Sequence, residues 1–449
     1  MFGTDGVRDV ANTGLMTPET ALKLGSAFTF FLNNRGSERP RIVVGRDTRL
    51  SGQMIESALS AGITSAGGDV FLAGEIPTPG VSYSVASGNF DGGAVISASH
   101  NPAEYNGIKF LDGNGFKLSD EEEHEIESIF VSQTERIRPT CGGIGKIEDA
   151  GSLAAAYLDF LGGVLGQVRH KDHSLVIDAA NGAASALIAP LFEKWKGKVT
   201  ILANQPDGLN INSGVGVTNI DFLREKTVSA AADIGIAFDG DTDRVLLCDG
   251  KGRVIDGDIM LWVIGRWLAA NNALGSGVVA TVMSNMVLED LLGKEGIKVF
   301  RCGVGDRYVL DTMRREKSRL GGEQSGHIIA LDYANTGDGL CSGLLFLRAL
   351  AEMEENISEL TERFDRYPQI LRNLKIKNKD LVLGSPKLKA AEKMAMERLD
   401  GKGRMLLRPS GTEPLIRIFV ESRDNILMNA TADMLEKTIL ELASSGGSE

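Results

Sequence analysis

No two of the four cysteines, Cys141, Cys248, Cys302 and Cys341, form a C-x-x-C pair. That disfavours both a zinc knuckle and a redox dithiol, and points to reduced thiols. Long apolar runs are also missing. The most apolar helical segment, Ile259 to Ala270, is interrupted by Arg266 and falls well short of the roughly 20 residues that span a bilayer. Met1-Phe2-Gly3-Thr4-Asp5 lacks the basic region and apolar stretch of a secretory signal. Positive charge is in deficit: Asp and Glu outnumber Lys and Arg by 60 to 48, a net charge of −12, which is a poor match for a nucleic acid. There is no G-x-x-x-x-G-K-[ST], and Gly214-Val215-Gly216 lacks the rest of a dinucleotide fingerprint, so nothing signals ATP or NAD binding. A soluble, cytoplasmic protein is expected, with neither membrane nor nucleic acid as a partner.

What is present is an ordinary globular balance, 43% hydrophobic and 24% charged. At 449 residues the chain calls for three or four domains. Three stretches repeat one grammar of apolar strand, polar loop, helix and apolar strand, the pattern of a βαβ unit. The first runs from Arg41-Ile42-Val43-Val44 through a helix near Gln53 to Ala66 and returns at Val70-Phe71-Leu72. The second starts at Leu175-Val176-Ile177, carries a helix from about Ser185 to Trp195 and returns at Val199 to Leu202. The third starts at Val278-Val279-Ala280, with a helix near Val287 to Leu292 and a return at Ile297 to Phe300. Loops after strands, at Gly45-Arg46-Asp47-Thr48-Arg49, Ala180-Asn181-Gly182 and Met283-Ser284-Asn285, are positioned to border a cleft. Thr17-Pro18 opens an amphipathic helix that ends near Asn34-Arg35-Gly36.

Charged, turn-rich breaks predict boundaries that divide the chain into 1–150, 151–252, 253–366 and 367–449. The last piece reads strand, helix, tight hairpin, helix, with hairpin strands at Met405-Leu406-Leu407 and Leu415 to Phe419. The fold expected is α/β: three similar mixed α/β domains and a smaller α+β C-terminal domain, set around a central cleft.

Four segments carry chemistry. Ser97-Ala98-Ser99-His100-Asn101-Pro102 ends an apolar strand in a sharp turn, presenting the Ser99 hydroxyl beside a histidine, as a nucleophile requires; the same residues also suit an ordinary serine turn. Asp239-Gly240-Asp241-Thr242-Asp243-Arg244 follows the buried strand Ile234 to Phe238, so alternate carboxylates can converge on one side. Three such charges repel unless a hard cation such as Mg2+ or Ca2+ joins them, the alternative being an acidic surface turn. An EF-hand does not fit, with Arg244 where Gly is needed and Gly250 where Glu is needed. Arg408-Pro409-Ser410-Gly411-Thr412-Glu413-Pro414, with Arg417 on the next strand, offers the donors a phosphate needs, or is a plain hairpin turn. Gly322-Glu323-Gln324-Ser325-Gly326-His327 combines groups suited to gripping sugar hydroxyls.

Together, and in this order, these segments resemble the phosphoserine, metal, sugar and phosphate loops of the α-D-phosphohexomutase superfamily along essentially the whole chain. Phe2 to Arg8, Pro206 to Asn212, Thr281 to Asn285, Val304 to Val309 and Gln324 are similar to its bacterial-type phosphoglucosamine mutase branch. Asp9 and Val215-Gly216-Val217-Thr218-Asn219 depart from that branch and leave the catalytic set intact.

The resemblance implies an isomerase that interconverts glucosamine 6-phosphate and glucosamine 1-phosphate, feeding UDP-N-acetylglucosamine synthesis. It implies phosphorylation of Ser99, a hexosamine 1,6-bisphosphate intermediate and one Mg2+ per chain, shared by Ser99, Asp239, Asp241 and Asp243. By the same resemblance His100, Lys109, Arg8 and Arg244 serve catalysis, Glu323, Ser325 and His327 hold the sugar, and Arg408, Ser410, Gly411, Thr412 and Arg417 hold phosphate. A monomer or homodimer is expected. Other readings are a glucose- or mannose-preferring mutase of the same superfamily, a metal-dependent sugar phosphatase using the D-x-D-x-[TV] pattern at Asp241, or a phosphosugar-binding regulator without turnover.

Overall fold

The computed structural model describes residues 1–3, 6–132, 138–166, 168, 172–409 and 414–445. Thr4, Asp5, Ser410, Gly411, Thr412 and Glu413, all within the segments above, lie outside the described residues. The described residues form two compact units, one of 1–284 with 291–363, the other of 285–290 with 364–449.

The first unit holds three mixed sheets. In the first, strands are ordered Val7–Val10, Tyr105–Leu111, Gly92–Ile96, Arg41–Arg46, Asp69–Glu75 and Ile147–Asp149. Arg41–Arg46 runs parallel to both of its neighbours, as a βαβ crossover demands. The second sheet is ordered Val254–Ile255, Val245–Asp249, Ile234–Phe238, Leu175–Asp178 and Val199–Leu202. Its strands Ile234–Phe238 and Leu175–Asp178 are buried at every position, which accounts for their apolar character up to Asp178, whose buried carboxylate accepts from the Ala180 and Gly216 amides. Val254–Ile255 takes this sheet past the expected break at residue 252. The third sheet is ordered Val299–Cys302, Val278–Thr281, Leu320–Gly322 and Ile328–Ala330.

Helix Pro18–Asn34 begins where cap chemistry places it, with Thr17 accepting from the Thr20 amide at 3.3 Å. Two elements differ from expectation. The helix from Ser185 stops at Leu191 rather than Trp195: Pro190 has no amide to bond back to Ala186 O, and the Trp195 indole is drawn to the His173 carbonyl at 2.7 Å. The return strand of the third unit starts at Val299 instead of Ile297, because the Ile297 amide closes helix Val287–Lys294 by bonding Leu292 O at 3.0 Å, after Gly296 at φ +73°.

In each sheet of this unit a candidate loop follows the carboxyl end of a strand: Ser97–Pro102 after Gly92–Ile96, Asp239–Arg244 after Ile234–Phe238, and Glu323–His327 after Leu320–Gly322. The second unit is an antiparallel sheet ordered Gln369–Lys375, Leu415–Ser422, Gly403–Pro409. Its core is built from residues such as Ile416, Ile418, Val420, Leu388, Ala395, Leu435 and Ile439.

Candidate active site

Ser99 adopts φ +51°, the left-handed region that a serine occupies only at some cost. Its surroundings hold it there: the Ser99 amide donates to Ser97 Oγ at 2.9 Å, and Ser97 Oγ donates to buried Asp47 at 2.6 Å. The Ser99 side chain is directed inward at 2% exposure. Its Oγ donates to Asp239 Oδ2 at 2.7 Å and lies 3.3 Å from His100 Nδ1.

Asp239, Asp241 and Asp243 are all buried, and one oxygen of each lies within 4.8 Å of the others. Thr242 at φ +63° turns the chain so that the alternate carboxylates converge. Gly240 has to be glycine, since a Cβ there would sit 2.7 Å from Ser99 O. The Arg244 amide donates to Asp239 Oδ1 at 3.1 Å. Thr78 donates twice to Asp241, from Oγ1 to Oδ2 at 2.7 Å and from its amide to the carbonyl at 3.0 Å. Lys109, also buried, places Nζ 3.0 Å from Asp241 Oδ2 and 3.7 Å from Asp243 Oδ2. Asp241 Oδ1 and Asp243 Oδ1 are buried without a hydrogen-bond partner. Buried acceptors are normally satisfied, and hard carboxylate oxygens left over in a cluster fit a divalent cation of the Mg2+ class.

The electrostatics are polarised across the cluster. Burial pushes Asp239 well above the usual carboxylate range, and the charges of Asp243 and Asp241 push the same way. Burial also opposes ionisation of Asp243, but the Lys109 ammonium and His327 outweigh it and hold this carboxyl well below that range. Burial lowers His100, helped by the guanidinium groups of Arg244 and Arg8, so its imidazole is neutral at neutral pH. Burial works against a charged His327 too, yet Asp243, with Oδ2 3.7 Å from Nδ1, and Asp306 raise it.

The structure therefore gathers Ser99, His100, Lys109, Arg244 and the three aspartates. Arg8 joins them from strand Val7–Val10, paired in register with Gly107, two residues before Lys109. Glu323 and Ser325 are half-buried, with Glu323 accepting from the Gly305 amide at 2.8 Å and from Ser325 Oγ at 3.3 Å. His327, expected among sugar contacts, is buried with Nδ1 3.7 Å from Asp243 Oδ2 and Nε2 3.8 Å from Asp306 Oδ2. In the second unit, Arg408 and Arg417 are direct cross-strand partners, so both lie on one face of the hairpin. Ser410, Gly411 and Thr412, between them, are outside the described residues.

Sequence reasoning missed four supporting residues: Asp47, Arg49, Thr78 and Asn212. Asp47 and Arg49 stood in a loop singled out only for following a strand, and Asn212 closed a stretch that carried resemblance without a role. Thr78 had no signal beyond a Pro-flanked helix start. Chemically, the arrangement offers a hydroxyl in contact with a carboxylate, a cation seat beside it, and several proton-bearing groups within reach, the constellation of phosphoryl transfer.

Family models of the phosphoglucomutase/phosphomannomutase proteins match in chain order: alpha/beta/alpha domain I over residues 1–137, domain II over 155–252, domain III over 256–367 and the C-terminal domain over 371–438. The chain is 45% identical to the phosphoglucosamine mutase of Caldicellulosiruptor saccharolyticus over 444 residues, 98% of each chain. It is 42% identical to that of Bacillus pumilus over 445 residues, again 98% of each. A crystal structure of a phosphoglucomutase/phosphomannomutase family protein from Burkholderia thailandensis superposes with a TM-score of 0.83 at 25% identity, covering 98% of this chain and 97% of that one. Among the described residues no helix is long and apolar enough to cross a membrane.

Proposed function

The chain belongs to the phosphoglucomutase/phosphomannomutase family, and from that premise we propose that it is a phosphoglucosamine mutase, an isomerase interconverting glucosamine 6-phosphate and glucosamine 1-phosphate in the cytoplasm. One observation carries the site: Ser99 Oγ at 2.7 Å from Asp239, in a buried cluster where Asp241 and Asp243 each keep an oxygen without a hydrogen-bond partner.

In this reading Ser99 carries a phosphoryl group. The free hydroxyl of the substrate attacks it, the bond from phosphorus to Ser99 Oγ breaks, and a hexosamine 1,6-bisphosphate leaves the serine free. The sugar then turns and returns its other phosphate to Ser99 Oγ. Asp239, Asp241, Asp243 and the serine phosphate would hold one Mg2+. When bound, that ion neutralises charge on the transferring group.

Lys109 and Arg244 lie against the same carboxylates and balance charge there. Neutral His100, 3.3 Å from Ser99 Oγ, is placed to take a proton, and Lys109 and His327, whose charged forms the neighbouring carboxylates favour, are the candidates to give one. Glu323 and Ser325 hold sugar hydroxyls in either orientation, and Arg408, Ser410, Gly411, Thr412 and Arg417 anchor the phosphate that is not reacting. Domains at 1–150, 151–252, 253–366 and 367–449 contribute these four loops.

A phosphatase of the D-x-D type is disfavoured, because its nucleophile directly follows the strand and Asp239 stands there, as acceptor of the Ser99 hydroxyl. The test is a coupled rate assay of one preparation on glucosamine, N-acetylglucosamine, glucose and mannose phosphates, beside Ser99→Ala. The glucosamine phosphates should turn over fastest and Ser99→Ala should show no turnover. Ser99→Ala at the wild-type rate would overturn the reading, and a wide preference for glucose or mannose phosphate would overturn the choice of sugar.

A further inference from the structure

Two side chains that take no part in the steps above converge on the same two carbonyl oxygens. Arg49 Nη2 donates to Ser99 O and to Asn101 O, each at 2.9 Å, and its Nη1 donates to Pro102 O. Asn212 Nδ2 donates to Ser99 O at 2.9 Å and to Asn101 O at 3.1 Å. They arrive from different sheets: Arg49 follows strand Arg41–Arg46 of the first, and Asn212 lies on the loop after strand Val199–Leu202 of the second.

Neither approach is incidental. The Arg49 guanidinium is fully buried and takes its counter-charge from Asp47, whose Oδ2 accepts from Nε at 2.9 Å. Asn212 is itself left-handed, at φ +57°, and its amide donates to Ala180 O at 2.9 Å, which fixes the loop that presents it. Carbonyl oxygens admit only donors, so the Asn212 amide is oriented by its two acceptors, and its buried Oδ1 is left without a partner. A polar atom is left unsatisfied so that the Nδ2 end can face the serine loop. A Cβ at Gly240 would lie 2.9 Å from Asn212 Nδ2 and 2.7 Å from Ser99 O, so amide, serine carbonyl and metal loop are packed without slack.

A serine at φ +51° returns to the favoured region unless its neighbours over-determine it. Fixing the carbonyls of Ser99 and Asn101 fixes the Ser99–His100 and Asn101–Pro102 peptide planes, and so pins the turn on both sides of the His100–Asn101 unit. With those planes fixed, Ser99 Oγ points at Asp239 rather than at solvent. We propose that Arg49 and Asn212 are positioning residues: a two-sided clamp that holds Ser99 in its reactive orientation and makes that orientation depend on the seating of the second sheet. This rests on the reading of Ser99 as the phosphoryl carrier.

The test uses the purified full-length chain with Asn212→Ala, Asn212→Asp and Arg49→Ala, measuring kcat and KM for glucosamine 6-phosphate. Misplacement of a reacting group by about 1 Å costs on the order of a hundredfold. Asn212→Ala should therefore lose about that much kcat with KM within about twofold of wild type. Asn212→Asp, equal in size but opposing two carbonyls with a carboxylate, should fall further. Arg49→Ala should regain activity with added guanidinium and not with ethylammonium, a rescue that general loosening of the fold would not give. Should Arg49→Ala fail to fold, the Asn212 pair decides the matter. Both Asn212 variants at wild-type kcat, or a loss confined to KM, would overturn the clamp. A wild-type chain without turnover on any hexose phosphate would sink the reading of Ser99, and the clamp with it, whereas wild-type turnover with unaltered variants sinks the clamp alone.

Discussion

Asp338 accepts hydrogen bonds from the Tyr157 hydroxyl on both carboxylate oxygens, each at 2.9 Å, and from the Cys341 amide at 2.9 Å as the cap of helix Gly339–Glu352. Burial raises it from the ordinary value of 3.8 to about 6, against the downward pull of those donors. A carboxyl raised on folding favours the protonated folded state. Its contribution is complete below about pH 4 and is lost as pH climbs through 6. Asp338→Asn keeps the cap and the size but does not ionise. Its stability relative to wild type should rise between pH 4 and 7 by on the order of 3 kcal/mol and then level off, as read from chemical unfolding at each pH. A flat difference across that range would show that the carboxyl titrates normally. The same scale separates what sequence could and could not tell about the site. Asp239, Asp241 and Asp243 declare themselves within five residues, because alternate carboxylates after a buried strand have few other uses. Thr78 bonds Asp241 across 163 positions and Asn212 bonds Ser99 across 113. No local pattern encodes such a pairing, so their roles emerge only when the sheets are assembled.

Helices Pro18–Asn34 and Gly52–Ser65 meet through glycine. A Cβ at Gly62 would lie 1.9 Å from Leu22 O, one at Gly25 would lie 2.3 Å from Leu59 O, and Ser26 Oγ donates to Gly62 O at 2.9 Å. In an isolated helix Gly→Ala is favourable by about 1 kcal/mol. Gly62→Ala should nevertheless destabilise, because its methyl group strikes backbone that cannot move without parting the helices. Gly162→Ala, in helix Ser152–Gly166 with open space around the new methyl, supplies the contrast and should be neutral or stabilising. Thermal melting of the two variants decides the matter, and equal midpoints would mean that the helix pair relaxes freely. Element positions were legible where chemistry is local, as at Thr17 and Pro18. They slipped where an end is set by partners elsewhere: Trp195 is pulled out of its helix by His173 O, and the Ile297 amide is spent on closing the helix before it. Gly62 shows the same limit, since a glycine inside a helical pattern reads as a weakness until the neighbouring backbone is seen.

At the scale of the whole chain, the repeated strand-loop-helix grammar was legible because each α/β sheet buries its own apolar strands. The net charge of −12 adds a condition to any test for metal. Added salt screens the self-repulsion of such a protein and raises its stability without a specific site. After divalent ions are removed with a chelator, Mg2+ should stabilise the chain beyond NaCl at matched ionic strength, by about 2.7 kcal/mol when Mg2+ is a hundredfold above its dissociation constant. Asp241→Asn with Asp243→Asn, which keeps side-chain size, should lose that excess while retaining the response to NaCl. All three carboxylates belong to the first compact unit, so the gain has a location. Hydrogen exchange should slow in strand Ile234–Phe238 when Mg2+ is added and stay unchanged in strand Leu415–Ser422 of the second unit. Slowing in both strands alike, or a double variant that keeps the full Mg2+ response, would place the ion somewhere other than the aspartate loop.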